Sequence, residues 1–143
     1  MKDYTFKRSV LIISVIINSF IFLILSTLHF YWALGGRLWY DDVLPTSSNG
    51  LHKMNPSATS AIIIAFVLLF LALITAGSQG FFDRYIKRSY FRYGTLIIAI
   101  IFFLRAVGDF RFIGFFKTVK NTRFGINDSQ IFSPLCLCIA FLC

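Results

Sequence analysis

A series of apolar runs, too long for the core of a soluble domain of this size, limits how the chain can fold more than any other feature. From Val10 to Leu34 no residue carries a formal charge, a second such run extends from Ser57 to about Phe82, and a third begins near Tyr93 as "GTLIIAIIFFL". A hydrocarbon core of about 30 Å takes about 20 residues of helix to cross. Each run therefore predicts a membrane span. The chain is 57% hydrophobic and only 14% charged, against about a quarter charged in soluble domains. Its 143 residues cannot hide that much apolar surface from water. The expected fold is all-α, a single transmembrane domain over 1–143.

The first run follows Lys2, Lys7 and Arg8, as a signal peptide's apolar stretch would. It is longer than the usual 7 to 15 residues of such a stretch and ends in the interfacial pair Tyr31 and Trp32, so it reads as a retained span over 10–34. Gly, Pro, Ser and Asn punctuate a polar loop over 35–57. Asn55 and Pro56 form a cap-plus-proline start for a second span over 57–82. A short basic loop, "DRYIKRSYFR", leads to a third span over 93–110. Beyond it Phe112, Phe115, Phe116 and Val119 fall at i, i+3, i+4 and i+7 among basic residues. That spacing reads as an amphipathic helix in the headgroup layer.

Ser133-Pro134 repeats the cap-plus-proline signal, and "LCLCIAFLC" completes a short fourth span, placed over 128–143. From Ser133 onward it extends only about 16 Å, so its helix begins nearer Asn127 or the chain stops early. The expected architecture is a bundle of four transmembrane helices, the last short, with a basic aromatic interfacial segment between spans three and four.

Fourteen Lys and Arg against six Asp give a formal net charge of +8. Beside apolar spans the natural counterpart is an anionic lipid headgroup. No nucleic-acid recognition module is present. The positive-inside rule gives a tie. Lys2, Lys7, Arg8, Arg84, Lys87, Arg88 and Arg92 lie on the side of the N-terminus; Arg37, Lys53, Arg105, Arg111, Lys117, Lys120 and Arg123 lie opposite. Setting aside those from Arg105 onward favours a cytoplasmic N-terminus, in the cell membrane.

That exceptional segment also holds the most suspicious residues. Arg105 and Asp109 lie toward the far end of span three, about 18 and 24 Å from Tyr93, and their spacing of four lets them pair on one helix face. His29 lies about 28 Å along span one, near the same membrane face, with Asn18 three turns deeper on the same side. Ionisable groups within a membrane usually mark a site or pathway. The candidate ligand or lipid-binding set is therefore His29, Trp32, Arg37, Arg105, Asp109, Arg111, Lys117 and Lys120.

Other chemistry has weaker support. His29, His52, Asp41 and Asp42 show no recognised metal spacing, so no metal or cofactor is expected. Cys136 and Cys138 point about 200° apart on a helix and read as small apolar residues. Asn127-Asp128-Ser129 fits a glycosylation acceptor by chance, and Asp41-Asp42 reads as a solvated loop.

Four ordered motifs, "LHFYWALGG" (28–36), "RAVGDFRFIGFFK" (105–117), "TRF" (122–124) and "SPLCL" (133–137), resemble the bacterial domain-of-unknown-function 3995 family of small four-span membrane proteins. The resemblance covers nearly the whole chain and implies the four-span architecture. It also implies that both polar motifs belong to one site, and it supplies no activity. The chain departs from the pattern in ending soon after "SPLCL"; a truncated reading frame would weaken the fourth helix. The residues favour a non-enzymatic protein that binds an anionic lipid or small amphiphile at one membrane face. The alternatives are a membrane-embedded enzyme with His29 and Asp109 as acid and base, or a transporter subunit requiring a homo-oligomer or another membrane partner.

Overall fold

The computed structural model describes residues 2–44, 56–108, 113–118 and 122–143, without the side chains of 2–5 and Asp41. Asp109, Arg111, Lys120, His52 and Asn55 thus lie outside the described residues. The elements are α1 (Lys2–Ala33), α2 (Tyr40–Val43), α3 (Ala58–Gly77), α4 (Arg88–Val107), α5 (Arg123–Asn127), a π-helical turn (Asp128–Phe132) and α6 (Ser133–Leu142). Four helices are long and apolar enough to cross a membrane: Phe6–Ala33, Ala58–Gly77, Arg88–Val107 and the continuous stretch Arg123–Leu142. No strand occurs among the described residues.

Several helix boundaries differ from those read in the sequence, each for a local reason. α1 leaves its last turn through Gly35 at φ 92, where Gly36 N–H reaches the Tyr31 carbonyl and Gly35 N–H that of Trp32. These are the paired bonds of a glycine-terminated helix. Ser57 caps α3, its hydroxyl accepting from Ser60 N–H at 3.2 Å, so Pro56 precedes the cap instead of opening the helix. α3 ends at Gly77 and α4 starts at Arg88, five residues before Tyr93.

The fourth membrane helix starts at Arg123, capped by the Thr122 hydroxyl accepting from Gly125 N–H at 2.9 Å. Ser133-Pro134 therefore lies inside a helix. Proline cannot donate to the carbonyl four residues earlier, and its ring crowds that carbonyl. The helix absorbs the defect by widening into a π turn, in which Ser133 N–H bonds the Asp128 carbonyl. With its first turn recovered, the helix reaches about 30 Å.

α1 packs chiefly on α3, and α4 on α6. All four spans meet at Phe22, Leu68, Ala72, Ile98 and Ile139, which are buried. Large residues such as Ile13, Phe66, Phe70 and Ile97 face outward, as a lipid-facing surface requires. Lipid tails are as apolar as leucine, so close packing of small residues and interhelical hydrogen bonds join the spans. Ser26 supplies both on α1, since its buried hydroxyl donates to the Ala65 carbonyl of α3 at 2.8 Å. Ser26→Ala is expected to cost about 0.6 to 1.7 kcal/mol, measured as resistance to denaturing detergent; an unchanged midpoint would remove this contact from the α1–α3 interface.

The segment after α4 is no amphipathic helix over its described part. Residues 113–118 are bends and turns folded back on the end of α4, with Phe115 N–H on the Ala106 carbonyl at 3.0 Å. Gly108 and Gly114, at φ 94 and 91, meet backbone to backbone there. A side chain at either position would occupy the space of the backbone around the other.

Candidate functional site

The hairpin delivers Lys117 into the protein. Lys117 is 1% exposed and Asp128, on the π turn, 0%. The ammonium donates to Asp128 Oδ2 at 2.9 Å, Ser129 Oγ at 2.7 Å and the Gly114 carbonyl at 3.2 Å. All three of its protons are thereby engaged. Asp128 Oδ2 also accepts from Gly114 N–H at 2.7 Å and Ser133 Oγ at 3.2 Å, and Oδ1 from Arg105 Nη2 at 2.8 Å. Among the described residues one carboxylate thus serves two cations, a net single positive charge.

Arg105 pairs across helices with Asp128. The expected partner Asp109 lies outside the described residues, and α4 ends at Val107. Because α4 begins at Arg88, Arg105 lies about 26 Å along it, close to its end. Its Nη1 is buried and has no hydrogen-bond partner among the described residues.

Arg105 also lines a cavity of about 1090 Å³ at that end of the bundle. His29, Trp32 and Arg37 line it too, so four of the eight residues singled out by sequence meet there. His29 Nδ1 is 2.8 Å from the Leu25 carbonyl, a separation that fits a donated N–H, and its ring meets Trp32 edge-on at 4.8 Å. Trp32 donates its indole N–H to the Leu38 carbonyl at 2.8 Å. Tyr40 packs on Trp32 at 6.1 Å between centroids. Deeper, Leu25, Leu68, Phe102, Phe124 and Leu135 form an apolar floor. No carboxylate lines the cavity among the described residues.

The remaining expectations sort by position. Lys117 stands behind Arg105, connected through Asp128. Asn18 does not join His29: it is buried in the core and donates to Cys143 Sγ at 2.9 Å. Cys136 is buried and Cys138 exposed, as the two-residue spacing requires. Among the described residues no group of three His, Cys, Asp or Glu could hold a metal ion.

A family model described as a protein of unknown function, DUF3995, matches residues 22–143. The chain belongs to the DUF3995 family. No curated protein and no solved structure matches it. The region matched by the DUF3995 model contains the whole lining of the cavity and the cluster behind it.

Sequence reasoning missed Asp128, which links Arg105 to Lys117. The signal was available in principle. Starting the last helix at the Thr122 cap places an aspartate about 8 Å inside it, and an acid within a span needs a partner.

Proposed function

We propose that this DUF3995 protein binds an anionic lipid or small anionic amphiphile in the Arg105 cavity and performs no chemistry on it. The charge balance of the cluster among the described residues carries this reading. Partly exposed Arg105 and buried Lys117 share one carboxylate, and the buried Arg105 Nη1 lacks an acceptor there, which is costly. An anionic headgroup beside Arg105 supplies the missing negative charge and an acceptor for Nη1. Arg37 adds a second cation to the lining, Trp32 and Tyr40 suit the interface between headgroup and chain, and the apolar floor suits the chain itself.

The test is mass spectrometry of the molecules retained by the protein purified in mild detergent. Wild type is expected to retain an anionic amphiphile, and Arg105→Gln to lose about tenfold or more of it, as for one charged hydrogen bond of about 1.5 to 3 kcal/mol. Asp128 keeps Lys117, Gly114 and Ser133 in that variant, so the fold survives. Equal retention by both proteins would overturn the reading.

The cluster also bears on orientation. Arg105 and Lys117 are compensated in part within the protein, so neither counts as an ordinary loop charge. Removing both from the positive-inside tally leaves the N-terminal side richer. We therefore place the N-terminus in the cytoplasm and the Arg105 cavity on the outer side of the cell membrane.

A further inference from the structure

The opposite end of the bundle holds a second cavity, of about 840 Å³, between the start of α1, the end of α3, the start of α4 and the end of α6. Four cations line it: Lys7 and Arg8 from α1, and Arg88 and Arg92 from α4. The last two are four residues apart and share a helix face. No Asp or Glu side chain lines this cavity among the described residues. Asp83 comes nearest, because a Cβ placed on Gly80 would lie 2.6 Å from Asp83 Oδ2 and 2.8 Å from Arg88 Nη2. It offsets at most one of the four charges.

The Arg88 side chain is tied to the loop after α3. Its Nη2 donates to the Gln79 carbonyl, while its Nε is buried without a partner among the described residues. Below the cations the wall is apolar, formed by Leu11, Ile12, Val15 and Ile16 of α1, within the stretch that crosses the membrane.

We infer that this cavity binds an anionic glycerophospholipid of the leaflet at the N-terminal face, its phosphodiester between Arg88, Arg92 and the start of α1 and an acyl chain along the α1 wall. A cationic rim continuous with an apolar wall matches the two ends of such a lipid; a free phosphate would leave the wall unused. This site shares no lining residue with the Arg105 cavity and stands independently of the function proposed for it.

The experiment is native mass spectrometry of the full chain titrated with phosphatidylglycerol or phosphatidylcholine. Wild type is expected to bind phosphatidylglycerol preferentially. Arg88→Gln with Arg92→Gln is expected to weaken that binding about tenfold or more, since each basic residue near a lipid surface contributes about 1 kcal/mol. Arg88→Lys with Arg92→Lys should retain most of it. The control pair Arg84→Gln with Lys87→Gln removes equal charge from the same face without touching the cavity, and should leave binding within about twofold, as surface charges are screened. If the α4 double variant does not fold, Lys7→Gln with Arg8→Gln decides by the same criterion. Equal loss in the control pair, or equal binding of phosphatidylcholine by wild type, overturns the inference. In an Arg105→Gln background, where the other cavity is disabled, Arg88→Gln with Arg92→Gln should still cause the same loss, so failure at one cavity is distinguishable from failure at the other.

Discussion

Asp128→Ala is expected to destabilise the protein by about 3 to 5 kcal/mol, the usual consequence of removing one partner from a buried ion pair. The variant leaves the Lys117 ammonium, 0% exposed as a side chain, with only neutral acceptors, and leaves Gly114 N–H and Ser133 Oγ without the oxygen they share. Asp128→Asn keeps the shape and one acceptor but removes the charge, so a smaller loss is expected. Lys117→Met alone is milder still, because Asp128 retains Arg105, Gly114 and Ser133. Combining Asp128→Leu with Lys117→Met should recover much of the loss, since apolar replacement of a whole buried pair is often neutral. Unfolding midpoints in denaturing detergent give the double-mutant cycle directly. If Asp128→Ala melts with wild type and shows no coupling to Lys117→Met, the buried cluster does not hold the fold together.

The same cluster shows where the sequence was readable. Long uncharged runs set the first three spans because no other fold hides them, and counting spans placed His29, Arg37 and Arg105 at one membrane face. Boundaries were less legible because caps compete locally: Ser57 serves α3 where Asn55-Pro56 resembled the start, and Thr122 starts a helix whose cap-plus-proline signal lies further on, at Ser133-Pro134. That proline signal was true chemistry in an unexpected setting. Its missing N–H is accommodated by a π turn, which is also the turn that carries Asp128. The pairing of Arg105 was hidden for another reason. A partner four residues away can be read from helical spacing, whereas Asp128 is 23 residues away and reaches Arg105 only once α4 and the last helix pack together. A charge tally has the same blind spot, because it cannot tell a loop lysine from one buried against an aspartate.

Replacing Gly114 by alanine should have an effect comparable to losing Asp128, and Gly108→Ala likewise. Both glycines lie at positive φ, a conformation that costs a residue with a side chain about 1 to 3 kcal/mol in sparsely populated regions. The added Cβ would also meet backbone: the Ile113 carbonyl at Gly108, and Gly108 Cα with the Val107 carbonyl at Gly114. Backbone cannot rotate aside as a flexible side chain can, so the hairpin must open. Opening it moves the Gly114 N–H away from Asp128 Oδ2 and the Gly114 carbonyl away from Lys117 Nζ, so strain in the turn and loss of the ion cluster arrive together. Two measurements separate this from a general loss of stability. An amine-reactive probe applied under folding conditions should spare Lys117 in wild type and modify it in Gly114→Ala, while the helix content of the four spans stays unchanged. A Gly114→Ala protein with wild-type melting and a protected Lys117 would show that the hairpin does not bring Lys117 to Asp128, and the net charge assigned to the Arg105 cavity would fall with it.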